Sequence, residues 1–253
     1  SSFLNRINPD VILFIRYELW MNYLLKARKL AIPVYAVNAT FPSSWIWKFF
    51  PWLLRSILDL FSGIYAVNST EMNAFKALHP SVSIYDGNDT RIDRIHEQVS
   101  AITSNQSMIE DLLPGIEHHS MPCIVLGSSW TEDEAVFLSA LSLIDEPLRL
   151  IIVPHEPTID HCKAINESLP NSMLLSECED IGNQHIIVDS IGNLLAIYAI
   201  ADAAYIGGGF GAGVHSCAEP AGYGIPLASG PHIARSPDAN ILHQLGALEI
   251  IGN

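Results

Sequence analysis

Five glycines fall within seven residues in Gly207-Gly208-Gly209-Phe210-Gly211-Ala212-Gly213, directly after the apolar Tyr205-Ile206 and before Val214-His215-Ser216-Cys217-Ala218-Glu219-Pro220. The pattern reads as a strand opening through a turn into a helix. Backbone N–H groups and the start of that helix would face whatever lies beyond the strand, an arrangement suited to a phosphate or a carboxylate. No Gly-Lys-Ser/Thr follows, which excludes a P-loop nucleotidase. Gly207-x-Gly209-x-x-Ala212 fits a loose dinucleotide fingerprint. The next strand, however, ends in Ala228-Ser229-Gly230 without the acidic residue that would hold a ribose, which argues against nicotinamide or flavin. Ser216-x-x-Glu219 is a capping box, in which each side chain bonds the other's backbone N–H. The same glutamate beside a glycine turn is equally placed to accept both hydroxyls of a ribose. The two uses compete for the same oxygens, and the sequence leaves both open.

Three further strand ends carry polar residues. Leu150-Ile151-Ile152-Val153 runs into Pro154-His155-Glu156-Pro157, where His155 is either a packed histidine or a ligand contact. A zinc protease is excluded, because H-E-x-x-H would need histidine where Ile159 stands. Ile124–Leu126 leads into Gly127-Ser128-Ser129-Trp130-Thr131, and Thr131 with Glu134 forms a second capping box, so Ser128 and Ser129 precede a helix start able to face an anion. Val188-Asp189-Ser190-Ile191-Gly192-Asn193-Leu194 sets a small-residue turn before a helix, fit to pack on a base. No Asp-x-Asp metal motif occurs, and neither a metal nor a cofactor is expected. Cys123, Cys162, Cys178 and Cys217 form no C-x-x-C pair and lie in or beside apolar stretches, the pattern of reduced thiols.

The elements that must position these residues alternate between strand-like and helical patterns, the signature of parallel sheets covered by helices. The first part shows strands at Val11–Ile15, Pro33–Val37 and Gly63–Val67, with helical spacing over Leu19–Lys29 and a long helical stretch from Ser44. The pattern breaks near Asp86-Gly87-Asn88-Asp89-Thr90-Arg91, and a polar stretch to His118-His119-Ser120 reads as a helix and connection. This places one domain over residues 1–108 and another over 109–253. Alternation then resumes with Cys123–Leu126, Leu148–Val153, Met173–Leu175, Ile186–Val188, Ala203–Ile206 and a last strand at Pro226–Ser229. Helices are expected from Thr131, Thr158, Gly192 and Ser216. Ser1–Asn8 carries no element of its own, and the segment after Asn240 leaves its unit incomplete, so the chain reads as truncated at both ends.

About half of the 253 residues are apolar (49%), enough for two modest cores, and no apolar run is long enough to span a bilayer. The net charge of -14 would repel phosphate backbones and excludes a sequence-independent nucleic-acid binder. That charge is uneven. Up to position 60, Arg6, Arg16, Lys26, Arg28, Lys29, Lys48 and Arg55 outnumber Asp10, Glu18 and Asp59, so the beginning is basic and the remainder acidic. A basic first part reads either as a match to an anionic acceptor or membrane surface or as a chance cluster of solvated charges. Within it, Trp45, Trp47, Phe49, Phe50 and Trp52 are interleaved with Lys48 and Arg55, which reads either as an interfacial membrane contact or as a buried core helix.

In this order the segments resemble the GT-B glycosyltransferases, and specifically the 3-deoxy-D-manno-octulosonic acid (Kdo) transferases of lipopolysaccharide synthesis. Asn8-Pro9-Asp10-Val11-Ile12 through Glu18-Leu19-Trp20-x-Asn22 is similar to the family's P-D-x-x-I and E-L-W-P-N blocks. Ile32-Pro33-Val34 with Asn38-Ala39, and Gly87-Asn88-x-Thr90-Arg91-x-Asp93, are similar to the next two. The Pro154-His155-Glu156 turn, Ile191-Gly192-x-Leu194, Gly207-Gly208-Gly209, and His215-Ser216-x-x-Glu219-Pro220 through Gly224-x-Pro226 to Gly230-Pro231 complete the set. Met21 replaces the family's proline, Ser216 its asparagine and Asn193 its glutamate.

The resemblance implies an α/β chain of GT-B type, with two Rossmann-like parallel-sheet domains facing a cleft. It implies an inverting enzyme that moves Kdo from CMP-Kdo to a lipid A precursor at the cytoplasmic face of the bacterial inner membrane. In that reading Glu219 and Ser216 hold the ribose, Ile191 and Gly192 pack near the base, and His155 lies by the nucleotide. Gly208, Gly209, Ser128 and Ser129 approach phosphate or sugar acid. Glu18 faces the acceptor, and the family's general-base glutamate belongs upstream of the present start. A UDP-sugar transferase or epimerase and a non-catalytic sugar-nucleotide-binding module are the competing readings.

Overall fold

The computed structural model describes residues 2–16, 19–42, 47, 49–116 and 121–252. The chain divides into two compact units, Ser1–Arg94 and Ile95–Asn253. This division falls inside one helix, Thr90–Thr103, ahead of the position 108/109 that composition suggests. No proline or glycine interrupts that helix, so its polar face looks like a connection in sequence while its apolar stripe keeps it folded.

The first unit holds four parallel strands, β1 (Ile12–Ile15), β2 (Val34–Ala39), β3 (Gly63–Ala66) and β4 (Ile84–Asp86), in the order β1-β2-β3-β4. Helices Met21–Lys29, Pro51–Leu58 and Ser69–Leu78 connect them. Proline at the start of Pro51–Leu58 costs no hydrogen bond there, and Leu54, Ile57 and Leu58 turn from it into a core with Leu24, Val34, Ile64 and Phe75. The Asn68 side chain caps Ser69–Leu78 by accepting the Glu71 amide at 2.8 Å. Two expectations change here. A helix, Ser2–Ile7, precedes β1, and β4 is a strand too short to show an alternating pattern. Of the expected helical stretch from Ser44, residues 43–46 and 48 lie outside the described residues.

The second unit is a seven-stranded sheet in the order β11-β10-β9-β5-β6-β8-β7, with every neighbouring pair parallel. Its strands are β5 (Cys123–Ser129), β6 (Arg149–Pro154), β7 (Ser172–Leu174), β8 (His185–Ile187), β9 (Ala203–Ile206), β10 (Leu227–Ser229) and β11 (Leu248–Ile250). All six residues of β6 are buried, as a strand covered on both faces requires. Alternate residues feed two cores: Val125, Ile151 and Val153 join one, while Leu126, Leu150 and Ile152 join the other. The unit does not stop after Asn240. Ser236 caps the helix Pro237–Gln244, and the chain returns to pair β11 with β10, a strand hidden in sequence by its length and by Glu249 at its centre.

Order and connection together make β5 a pivot. The chain leaves β5 toward β6 on one side and later crosses to β9 on the other. A crevice beyond the carboxyl ends at such a reversal is where open α/β sheets bind their ligands.

Candidate functional site

The turns after β5, β6, β8 and β9 all lie at that carboxyl edge. At the end of β5 the register with β6 shifts between Gly127 and Ser129, and Ser128 takes a positive φ of 52°. The helix Thr131–Leu141 follows, but its N-cap is Trp130, not Thr131. The Trp130 amide is bonded by the Asp133 carboxylate at 2.9 Å, so Asp133 takes the part expected of Glu134. Asp133 is fully buried, and its oxygens also accept from the Gly208 amide at 2.8 Å and the Tyr205 hydroxyl at 2.5 Å. One carboxylate thereby ties the β5 turn to the glycine loop after β9. Three donors, including two amides, compensate a charge that would otherwise be costly to bury.

Glycine is required in this loop by close backbone approach. A Cβ on Gly207 would stand 2.1 Å from the Ser128 carbonyl oxygen, and one on Gly209 would stand 2.4 Å from the Gly230 nitrogen. Most of the loop's amides are spent internally: Gly207 on Gly127, Gly208 on Asp133, Gly211 and Gly213 on Gly208, and His215 on Gly207. Gly208 therefore shapes the loop, with its own N–H held by Asp133. Among the described residues the amides of Gly209, Phe210 and Ala212 have no such internal acceptor.

His155 and His215 stack with ring centroids 4.2 Å apart, and Trp130 lies 4.8 Å from His155. The Trp130 indole donates to His215 Nε2 at 2.9 Å. Burial lowers the pKa of His215, the neighbouring His155 lowers it further, and Asp133 opposes them. Three residues separated by up to 85 positions thus form one aromatic wall at the pivot. Of these, His155 was legible as a candidate from its place after a buried strand. Trp130, His215 and Asp133 stood inside the recognised segments, but no spacing rule distinguished them.

The expected Ser216–Glu219 capping box is not formed. The helix there spans only Ala218–Ala221, its N-cap is Cys217, and no side chain caps it. Ser216 is exposed and Glu219 half-buried. Burial, with the nearby Glu219 charge adding, pushes the Tyr223 hydroxyl up to about 12 and raises that of Tyr198. Glu219 therefore stands beside two phenols.

The two remaining serines differ. Ser128 is half-buried, whereas Ser129 is fully buried and donates to Glu134 at 2.8 Å. The other Glu134 oxygen meets His161 Nε2 at 2.8 Å. Burial works against a charged His161, but the Glu134 hydrogen bond and charge, with Glu156, raise its pKa overall. Ser129 is thus held within the fold. After β8, Ile191 is 83% exposed and Gly192 has a φ of 91°. Asn193 Nδ2 donates to Ser190 Oγ at 2.9 Å, stiffening that turn.

In the first unit Glu18 and Trp45 lie outside the described residues. Trp47 packs on the core, while Phe49, Phe50 and Trp52 are 71%, 45% and 63% exposed at the head of Pro51–Leu58. The core-helix reading holds for the later residues and fails for these three. No described helix is long and apolar enough to cross a membrane, and among the described residues no group of three His, Cys, Asp or Glu could hold a metal ion.

Comparison with known proteins bears on this geometry. Residues 1–94, the first compact unit, match the family model of 3-deoxy-D-manno-octulosonic-acid transferase (kdotransferase). The 3-deoxy-D-manno-octulosonic acid transferase of Rickettsia prowazekii is 26% identical over 98% of this chain and 54% of its own. A probable mitochondrial one of Arabidopsis thaliana is 28% identical over 92% and 55%. The chain thus spans about half the length of the curated relatives it matches. Among solved structures, the C-terminal CMP-Kdo binding domain of WaaA from Acinetobacter baumannii superposes with a TM-score of 0.51 at 19% identity. It covers 61% of this chain and 83% of that one. UDP-GlcNAc 2-epimerase from Neisseria meningitidis gives 0.64 at 16% identity, over 99% and 66%. In sequence, then, the chain is similar to the Kdo transferases over nearly its whole length, and in fold it is an α/β chain of the GT-B glycosyltransferase and epimerase type.

Proposed function

We propose that this chain is the larger part of a glycosyltransferase that moves Kdo from CMP-Kdo to a lipid A precursor, with inversion, in lipopolysaccharide synthesis at the cytoplasmic face of the bacterial inner membrane. The observation that carries the reading is convergence. Trp130, His155, His215 and the Gly207–Gly213 loop meet at the carboxyl edge beside the sheet's pivot, and relatives matched over nearly the whole chain are named Kdo transferases.

In this mechanism CMP is already a good leaving group, so the protein mainly orients the donor and stabilises the departing phosphate with fixed dipoles. The amides of Gly209, Phe210 and Ala212 are the loop's available donors for phosphate or sugar carboxylate. Glu219, with Ser216, accepts the ribose hydroxyls, the Ile191-Gly192 turn packs by the base, and His155 and Ser128 line the nucleotide. The first unit serves the acceptor, a role the resemblance gives to Glu18, and the exposed Phe49, Phe50 and Trp52 meet the lipid surface.

Calorimetric titration with CMP, UDP and NAD, beside a Glu219→Ala variant, tests the assignment. CMP binding that the variant loses by tenfold or more, about 1.4 kcal/mol, is the expected result. Preferential UDP binding would transfer the chain to the epimerase-like or UDP-sugar enzymes whose fold it shares.

A further inference from the structure

We propose that Trp130 locks His215 into one neutral tautomer, so that the His215 Nδ1–H is a hydrogen-bond donor to the phosphate of a bound cytidine nucleotide. The proposal rests on the nucleotide reading above.

An indole N–H only donates. The Trp130 Nε1 to His215 Nε2 bond of 2.9 Å therefore requires a lone pair on Nε2, which puts the single ring proton on Nδ1. Protonating Nε2 would set two N–H groups head to head. The ring is also fixed in place. It stacks on His155 at 4.2 Å with a 22° tilt, its backbone amide donates to Gly207 at 3.1 Å, and its Cδ2 edge lies against Gly208, where an added Cβ would come within 3.3 Å. Nδ1 is on the opposite edge of the imidazole from Cδ2. Among the described residues it has no hydrogen-bond partner.

The charged and titratable groups facing the ring are His155 from the turn after β6 and Asp133 from the helix Thr131–Leu141. Burial and His155 favour the neutral ring and Asp133 disfavours it, with a net lowering. The outcome is a donor whose direction does not change as the surroundings titrate. Asp133 reinforces the arrangement from below by holding the Trp130 amide and the Gly208 amide on one oxygen. The indole's role is thus to orient a second side chain, in addition to any stacking on a base. A histidine side chain free in water prefers the proton on Nε2, so removing the indole N–H would move the donor to the wrong side of the ring.

The test combines ¹⁵N NMR of the histidine side chains with titration of CMP and of cytidine, which lacks the phosphate, in wild type, Trp130→Phe, His215→Ala and the double variant. The expected wild-type spectrum shows His215 protonated at Nδ1 alone. Trp130→Phe should shift it toward Nε2 and weaken CMP about tenfold at pH 7.5, the scale of one hydrogen bond to a charged group, while cytidine changes less than about twofold. Lowering the pH to about 5.5 should restore CMP binding to Trp130→Phe, since a protonated imidazole donates from both nitrogens. In the His215→Ala background the tryptophan change should add little further loss.

A wild-type His215 carrying its proton on Nε2 overturns the proposal. So do equal losses for CMP and cytidine, or fully additive losses in the double variant. A folded wild type that binds neither ligand overturns the cytidine reading and the phosphate contact with it, while the spectrum still decides the tautomer.

Discussion

The Asp133 carboxylate accepts the Gly208 amide at 2.8 Å across 75 positions of sequence, and this bond fixes the glycine loop to the turn that carries Trp130. Asp133→Asn keeps the shape but replaces an accepting oxygen with an N–H, leaving a buried amide facing a donor. The expected cost is on the order of 3 kcal/mol of stability, the range for an unsatisfied buried group next to a lost charge-assisted bond. Chemical denaturation measures it. A variant within 0.5 kcal/mol of wild type, roughly the surface-mutation range, would mean that the loop holds its shape without this contact.

Gly207→Ala and Gly211→Ala should part company. The first sets a methyl 2.1 Å from the Ser128 carbonyl oxygen, and neither backbone can yield cheaply. At Gly211 the nearest atom is 3.9 Å away. Thermal melts should show Gly207→Ala losing about 3 kcal/mol, the upper end of overpacking costs, and Gly211→Ala less than about 0.5 kcal/mol.

The Glu134–His161 pair makes stability depend on pH in a definite direction. The folded-state pKa of His161 is raised, so its contribution is fully present below the unfolded value of about 6.5 and fades as pH rises through the folded one. His161→Gln should therefore lose more stability at pH 6 than at pH 8.5. Denaturation midpoints at the two pH values read this out, and an equal loss at both would show that the pair is neutral.

Replacing Phe49 and Trp52 together by serine should reduce binding to anionic phospholipid vesicles about tenfold or more, as loss of buried interfacial aromatic area predicts. The fold should be nearly unaffected, because both side chains are mostly exposed. Unchanged vesicle binding would move the lipid contact elsewhere on the chain.

The strands at the middle of the second sheet were legible because their apolar runs are bounded by turn residues: β6 and β9 stand where Leu148–Val153 and Ala203–Ile206 indicate. Two three-residue strands were not, although β7, β8 and β10, equally short, stand where sequence expects them. β4 and β11 have three residues each and gain their stability from neighbours that are distant in sequence. The site divides the same way. His155 and the glycine cluster announce themselves locally, whereas the roles of Trp130, Asp133 and His215 come from contacts between β5 and β9 that no local pattern encodes. The capping boxes misled for a related reason. The motif at Thr131–Glu134 was displaced by one residue when Asp133 found two better-placed donors, and that at Ser216–Glu219 lost its register when Cys217 became the N-cap.

The order of the seven strands also bears on how this unit comes into being. β5 pairs on one side with β6, near in sequence, but on the other with β9, whose residue Ala203 faces Ile124. While the chain is being made, the central strand of the future sheet waits with one edge unpaired until β9 has left the ribosome. Pairings that span so much chain form slowly, and an open apolar edge in the interval invites association with other chains. The reversal that builds the site thus leaves its own strand half-paired while β6, β7 and β8 are already made.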